Sequence, residues 1–323
     1  MEKVAVLLVN YRQWELTRQC LESLELSRGV EVHPVLVDNR SPGDVPGWVA
    51  EVPGIRFHRA ESNLGFTGGN NTAFSLIEGS DIPWIFILNN DTTVTPDTIV
   101  TLVSFLKGDA AAGIVTPPVF YADSPDRVWS AGGRFSPLRM LFRQDLYPCR
   151  DDLPEEPVGT DFASGCAMMM SASLFSELGG FREDLFIYYE DGLLCRRVTG
   201  SGRRIFLHPG GEVLHYVSVT SGGVLSPFSI YFTHRNRFLA ARECLGRFQM
   251  AVFSVYYTMV TLMKTLLYPL RGHRHLVRWI WMAWLHGLAG RGGGTFPALE
   301  RTRSGASPSP EQCRAKGVID GHQ

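Results

Sequence analysis

Apolar and polar positions along this chain fall into short blocks whose period switches between two and about 3.6, the mark of alternating strands and helices. A β-rich run at 4–9, helical spacing through Leu16, Cys20, Leu21 and Leu24 within 14–26, and a second strand at 32–37 predict a βαβ unit. A weaker strand at 55–58 leads to a Gly-rich turn, a helix at 70–77 and the continuous apolar run Trp84-Ile85-Phe86-Ile87-Leu88. Such a run needs cover on both faces, as a parallel strand has. Thr95-Pro96 reads as a helix start, with a hydroxyl cap and proline at the first helical position, and that helix runs to about Leu106 before a strand near 113–119.

Between 121 and 157 the pattern loosens into Pro, Gly and Asp, which predicts a loop or hairpin region facing a second substrate. Periodicity returns with a strand at 163–170, a short helix from Ser171 ending at Gly179-Gly180, a helix that opens at Glu190-Asp191 and closes at 200–202, a strand at 204–207 and a last one at Val213-Leu214-His215. Helical stretches at 229–245, 248–270 and 275–288 follow. The expected organisation is an α/β domain over 1–225, a helical extension over 226–290, and a disordered Gly-, Ser-, Pro- and Arg-rich tail over 291–323.

The chain has 323 residues, enough to bury a full core. Its formal net charge of −1 hides an asymmetry: from Pro227 to Arg303 there are eleven Lys and Arg against two Glu. No nucleic-acid motif accompanies this, so the cationic end points to an anionic membrane surface, with a solvated basic face as the alternative. The stretch 248–270 has roughly the length a membrane span requires but is interrupted by Lys264. The last helix carries Leu276, Trp279, Ile280, Ala283, Trp284 and Gly287 on one face and arginines nearby, which suits either the membrane interface or a cap on the core. Cys20, Cys149, Cys166, Cys195, Cys244 and Cys313 show no zinc-like spacing and read as reduced thiols. Met1-Glu2-Lys3 leads straight into the first strand with no leader pattern, which makes the cytoplasm the expected compartment.

Polar clusters stand where successive strands end: Asn10-Tyr11, Asp38-Asn39-Arg40-Ser41, Asn63 to Asn71, and Asn89-Asn90-Asp91. Each alone is compatible with an Asx-rich turn, but together they mark the edge where an open α/β sheet places a ligand. Asp38 can accept from a pyrimidine N3–H, and the Gly-rich turn at Gly65, Phe66, Gly69 and Asn70 lets backbone N–H groups approach a diphosphate. There is no GxGxxG spacing and no P-loop, which disfavours a dinucleotide enzyme or an NTPase.

These residues resemble the family 2 glycosyltransferases of GT-A fold, a Rossmann-like and mostly parallel sheet flanked by helices, in particular a rhamnosyltransferase-like bacterial branch. The resemblance covers roughly 4–237 and rests on Val9-Asn10-Tyr11, Val37-Asp38-Asn39, Asn63-Leu64-Gly65-Phe66, Leu88-Asn89-Asn90-Asp91, Gly179-Gly180-Phe181, Tyr189-Glu190-Asp191, His215 and Arg235-Asn236. It implies transfer of a sugar, rhamnose by branch, from a dTDP- or UDP-sugar to a saccharide or lipid-linked acceptor in cell-surface polysaccharide synthesis at the inner membrane face. Donor contacts are expected from Asn10, Tyr11, Asp38, Asn39, Asn63, Gly65, Phe66, Gly69, Asn70, Asn89, Asn90 and Arg235. Asp91 and His215 are the expected ligands of Mg²⁺ or Mn²⁺, and Asn89 stands where many relatives have an Asp. The resemblance assigns Asp191 as the general base of an inverting displacement; adjacent Glu190 supplies like charge that raises a neighbouring pKa, and by their chemistry either acid could serve as the base. A sugar-phosphate nucleotidyltransferase lacks support, because no glycine-rich loop follows the first strand, while a non-catalytic sugar-nucleotide-binding scaffold would not need Asp91, Glu190, Asp191 and His215 together. A glycoside hydrolase would need paired carboxylates but neither a pyrimidine site nor a metal.

Overall fold

The structure, a computed structural model, describes residues 1–144, 147–217 and 225–296. The chain opens with β1 (Glu2–Asn10), α1 (Trp14–Glu25) and β2 (Val30–Asp38), the expected βαβ unit, and continues through β3 (Arg56–Arg59), α2 (Gly65–Ser75) and β4 (Trp84–Leu88). Next come β5 (Thr92–Val94), α3 (Thr98–Gly108), β6 (Ala112–Thr116), β7 (Val119–Tyr121), β8 (Ser124–Ser130), the hairpin of β9 (Gly133–Ser136) and β10 (Leu141–Gln144), and β11 (Val158–Thr160). The domain ends with β12 (Ala167–Ser171), α4 (Ala172–Glu177), α5 (Glu190–Gly200), β13 (Arg204–Leu207) and β14 (Val213–His215); helices α6 (Pro227–Cys244), α7 (Arg247–Leu270) and α8 (Val277–Leu288) follow.

Eight strands form one sheet in the order β11-β13-β6-β12-β4-β1-β2-β3. β3, β2, β1 and β4 run parallel, as do β6 and β13, while β12 lies antiparallel between β4 and β6, and β11 is an antiparallel edge. The central strands are hydrophobic on both sides because both faces are covered. Leu8, Phe86 and Met169 pack with α1 and α3, and Leu7, Ile87 and Met168 with α2 and α4. A smaller sheet, β5-β14-β7-β8, stands at the end of β4.

Several boundaries moved for physical reasons. The strand expected near 113–119 breaks in two because Pro117-Pro118 cannot donate to a ladder, and its halves join different sheets. Helix α3 starts at Thr98, since Thr95 continues the pairing of β5 with β14 through its N–H to Glu212 O (3.3 Å). Helix α2 starts at Gly65 rather than Asn70, so the expected Gly-rich turn is itself helical. The region 121–157 contains β8, which joins the smaller sheet, and the β9–β10 hairpin, whose Phe142 packs where a side chain on Gly192 of α5 would stand.

The helical extension is not a separate body. Phe238 and Leu239 of α6 share a core with Leu185 and Leu193 of the domain and with Phe253 and Tyr257 of α7. The apolar face of α8 is also occupied: Leu276, Trp279, Ile280 and Ala283 pack with Phe232 and Phe296. Of the two readings for that helix, the structure realises the cap on the core. Residues 291–296, expected as the start of a disordered tail, pack as well, with Phe296 stacked on Trp279 (4.7 Å). The rest of that tail, including Cys313, lies outside the described residues. The five described cysteines are free.

Candidate active site

Strand pairing builds the site. In the parallel register Asn10 lies beside Asp38 and Asp38 beside Arg59, so three polar groups stand in a row where β1, β2 and β3 end. Asn10 is fully buried and acts as a hub. Its Nδ2 donates to Asp38 Oδ1 (3.0 Å) and Ser41 Oγ (3.1 Å), and its Oδ1 accepts from Thr17 Oγ1 (3.1 Å), Gln13 N (3.1 Å) and Asn90 Nδ2 (3.4 Å). Arg59 Nε lies 3.2 Å from Asp38 Oδ2. Asp38 is wholly buried, so its carboxylate organises this edge from beneath, and Tyr11 is the half-exposed group above it.

The antiparallel pairing of β14 with β5 places His215 opposite Thr92 and hence against Asp91; Tyr216 N extends the ladder to Asp91 O (2.8 Å). His215 Nε2 stands 3.2 Å from Asp91 Oδ1, while its Nδ1 is buried without a hydrogen-bond partner and its ring meets Trp129 edge-on (4.5 Å). Two ligands bound side by side at about 2.1 Å in an octahedron stand about 3 Å apart, so the pair fits a single hard divalent ion. Among the described residues no group of three or more His, Cys, Asp or Glu side chains is set for one ion. The half-buried Asn89 is held through its backbone, its N–H donating to Cys166 O (2.9 Å).

That contact joins the metal-type pair to the acidic pair, because Asp191 Oδ2 accepts from the neighbouring Gly165 N (3.1 Å) and Oδ1 from Gly192 N (2.7 Å). Both Asp91 and Asp191 lie close enough to Cys166 to push its thiol pKa up, behind the larger effect of burial. Burial raises the pKa of Asp191, against the lowering effect of its backbone donors. Glu190 is raised further, first by burial and then by the charge of Asp191, and its Oε2 has no partner. Burial thus raises both carboxyls of the pair, and the like charge of Asp191 adds to the rise at Glu190.

The Gly-rich segment has a different task from the one expected. The first amides of α2 are all used by protein groups: Leu64 N on Asn39 Oδ1 (3.4 Å), Gly65 N on Asn63 Oδ1 (2.8 Å), and Phe66 N and Thr67 N on Phe186 O (2.8 and 3.2 Å). A Cβ on Gly65, whose φ is +72°, would stand 2.4 Å from that carbonyl, and one on Gly69 would stand 2.7 Å from Val9. Asn39 Nδ2 ties down Gly65 O (2.7 Å), and Asn70 Nδ2 ties down Phe66 O (2.9 Å). This helix end thus locks the loop before Asp191 in place of a diphosphate.

Arg235 is likewise moved from the expected diphosphate contact to that loop. It is 1% exposed, and its guanidinium donates to Asn236 Oδ1, Asp184 O, Leu185 O and Gly293 O (2.6–3.2 Å). Asn236 Nδ2 reaches Leu185 O, Ile187 O and Tyr188 O, each at 2.8 Å. Between them they hold a segment in which Phe186, Tyr188 and Tyr189 all have positive φ. Such strain persists only where the surroundings over-determine it. Sequence reasoning had Ser41 in the second polar cluster but missed Arg59 and Gly165 as site-building residues. Gly165 was hidden inside the apolar run 162–170, where only the Ser164-Gly165 dipeptide signalled a turn.

Comparison with known proteins gives the fold and the family. The chain is 25% identical over 266 residues to a low-salt glycan biosynthesis hexosyltransferase, Agl10, of Haloferax volcanii, covering 81% of this chain and 82% of that protein. It is 27% identical over 244 residues to an N-acetylglucosaminyl-diphospho-decaprenol L-rhamnosyltransferase of Mycobacterium tuberculosis, covering 67% and 77%. Among solved structures it resembles GalNAc-T7 with UDP, GalNAc and Mn²⁺ (TM-score 0.58, 17% identity, 75% of this chain and 48% of that one). It also resembles residues 1–349 of S. aureus TarS (TM-score 0.50, 14% identity, 78% and 70%). These likenesses show a GT-A fold. The sequence profile of Glycosyl transferase family 2 matches residues 5–179, more than half of the chain, and the protein belongs to that family.

Proposed function

We propose that this glycosyltransferase moves a hexose-type sugar, rhamnose in the reading closest to its relatives, from a dTDP- or UDP-sugar to a lipid-linked saccharide, with inversion at the anomeric carbon. The observation that carries the reading is the approach of both the Asp91–His215 pair and the Asp191 carboxylate to the Gly165-Cys166 turn. The pyrimidine lies toward Tyr11 and the Asn10–Asp38 edge, and the diphosphate toward Asp91. Asp91 and His215 are the residues that would hold Mg²⁺ or Mn²⁺, and a bound ion would supply positive charge to offset that of the departing diphosphate. Asp191 takes the acceptor hydroxyl proton as that oxygen bonds to the anomeric carbon, and the bond to the diphosphate breaks with its electron pair. Two backbone N–H donors fix Asp191 in orientation, and its raised pKa makes it a stronger base than an ordinary carboxylate.

Helix α7 supports a place at the inner membrane face. It is long and apolar enough to cross a membrane by length and composition, yet Phe253, Tyr257 and Thr261 are buried along it. Lys264, which interrupts the apolar run, turns inward to His234, leaving Phe248, Val255, Met259, Leu266 and Leu270 exposed along the outer face. Exposed Arg247 and Arg271 stand at its two ends. An apolar stripe with cationic ends suits a helix lying on an anionic bilayer.

The test is to incubate the purified chain with UDP-, dTDP- and GDP-sugars, with and without Mn²⁺, and to measure slow donor hydrolysis. Metal-stimulated turnover of a pyrimidine donor is expected. No turnover of any donor would favour a scaffold role and overturn the reading.

A further inference from the structure

The start of β13 borders a cavity that the transfer chemistry does not use. β13 runs parallel to β6, and β6 runs as β4 and β1 do, so the first residues of β13 stand at the opposite end of the sheet from Asn10, Asp38 and Asp91. The cavity has a volume of about 360 Å³ and opens to solvent between Arg203 and Arg204, Arg134 of β9, Thr160 and Asp161 at the end of β11, and Thr199 of α5. That volume lies within the range of about 300–1,000 Å³ usual for small-ligand sites. Two of the guanidiniums have donors to spare. Arg203 spends one nitrogen, on Ala110 O (2.8 Å). Arg204 lies over the Phe206 ring (4.7 Å) and makes no hydrogen bond or ion pair among the described residues. Basic side chains often serve the carbonyls at a helix end, but backbone N–H groups already take the last ones of α5. Ser201 N donates to Arg197 O (3.0 Å), Gly202 N to Thr199 O (3.2 Å) and Arg203 N to Val198 O (3.3 Å). The side chains of Arg203 and Arg204 therefore have no capping duty. Arg134 adds a third positive charge at the rim while keeping a contact of its own.

Two facts narrow the ligand. Arginine stays charged at any working pH, and its planar fork of donors matches the paired oxygens of a phosphate. Asp161 is the single carboxylate in the lining, and it forms no ion pair among the described residues. Its Oδ2 accepts from Phe135 N (3.1 Å), which leaves Oδ1 to accept from a ligand. A carboxylate repels a bare anion but accepts hydrogen bonds from hydroxyls. Apart from Ile205 and Gly159 the lining is polar, so the cavity suits a hydroxyl-rich body beside the phosphate better than an apolar one. We propose that this cavity binds a sugar phosphate, with the phosphate between Arg203 and Arg204 and a sugar hydroxyl on Asp161. The site lies apart from the donor and acceptor positions and does not depend on the reading given for them.

The test is calorimetry on the full chain with excess UDP to occupy the donor site, in about 0.15 M salt to screen weak surface attraction. The probes are glucose 1-phosphate, inorganic phosphate and glucose. Glucose 1-phosphate is expected to bind at least about tenfold tighter than either of the others, the worth of hydrogen bonds to charged groups at both ends of the ligand. Arg204→Gln weakens glucose 1-phosphate at least about tenfold. Asp161→Asn brings the ester down to the affinity of phosphate and leaves phosphate no weaker. Both residues are exposed, so the sheet folds without them. Bound glucose 1-phosphate slows hydrogen exchange at 158–161 and 203–205 and leaves 38–41 and 89–92 unchanged. Absence of ester binding to the parent chain, or equal affinity for the ester and phosphate, overturns the proposal whatever the variants do. So does an Arg204→Gln chain that keeps the parent's affinity, and so does protection that falls at 38–41 or 89–92, which would place the ester in the donor site.

Discussion

Replacing Asn236 by Ala isolates the link between the helical extension and the chemistry. Its Nδ2 serves the carbonyls of Leu185, Ile187 and Tyr188, and its Oδ1 receives Arg235 Nε. Leaving a buried carbonyl unsatisfied costs about 1–3 kcal/mol, and Leu185 O retains a bond from Arg235, so the loss over the Ile187 and Tyr188 carbonyls is about 2–6 kcal/mol. The loop itself stores strain of comparable size. Phe186 is the centre of a γ-turn of the rare strained type (φ +68°, ψ −57°), closed by Ile187 N on Leu185 O (2.8 Å), and Tyr188 and Tyr189 add φ of +70° and +75°. At about 1–3 kcal/mol for each such residue, release of this strain offsets much of what the clamp loses, so the segment relaxes locally while the sheet stays folded.

The relaxed loop no longer delivers Asp191 to its place beyond Tyr189. A displacement of about 1 Å costs on the order of 10²-fold in rate, so single-turnover transfer should fall about 10²-fold while UDP affinity changes less than about twofold. Hydrogen exchange should increase across 184–189 and stay unchanged in β1 and β4. Unchanged exchange at 184–189 with an unchanged rate would refute the clamp. A rate loss matched by an equal loss of UDP affinity would show that Asn236 acts on the donor instead.

Asp191→Asn should lower transfer by about 10²–10⁴-fold, the range for a lost general base, with UDP binding unchanged by calorimetry; loss of both together would make the residue structural. Asp91→Asn and His215→Ala should each abolish stimulation of donor hydrolysis by Mn²⁺ and weaken Mn²⁺ binding in the presence of UDP, measured by paramagnetic relaxation; intact stimulation in both would remove the pair from the metal site. For Glu190 the pKa is raised in the folded chain, so the native state holds the proton longer than the unfolded one and stability falls as pH rises from the ordinary carboxylate range toward the raised value. Glu190→Gln should therefore gain melting temperature over the parent at pH 8 and lose that advantage near pH 4, and a constant difference would contradict the assignment.

The sheet was legible because its strands are short apolar runs punctuated by Gly, Pro, Asn and Asp, and the comparisons bear out the family and the GT-A fold. What sequence could not give was the use of each polar group. Asn10, Asp38 and Asn90 were visible as polar strand ends, but only register reveals that they satisfy one another. Gly65 and Gly69 looked like a phosphate cradle, because a glycine that admits a ligand and one that admits Phe186 or Val9 are written the same way. Arg235 looked like a diphosphate ligand for a similar reason: a guanidinium suits carbonyl oxygens as well as phosphate, and only burial distinguishes them. That Asp191 receives the Gly165 N–H could not be read either, because Gly165 comes from a distant strand end.

The non-glycine residues with positive φ connect these observations. Arg12 and Arg40 follow the ends of β1 and β2 beside the Asn10–Asp38 edge; Phe186, Tyr188 and Tyr189 precede Asp191; and Met140, at the hairpin tip, accepts from Tyr189 through its carbonyl. Strained backbone gathers where the chain must hold functional side chains at set positions. Each of these places is braced by a distant part of the sequence: Ser41 Oγ takes Arg12 N (2.8 Å), α2 takes Phe186 O, and α6 takes the carbonyls from Asp184 to Tyr188. Gly293 N closes on Asp184 O (2.6 Å), so even the strand of chain beyond α8 belongs to the brace. The helical extension therefore completes a brace that α2 begins on the loop ahead of Asp191, and the division into a domain and an appendage that composition suggests is not a mechanical division of the molecule.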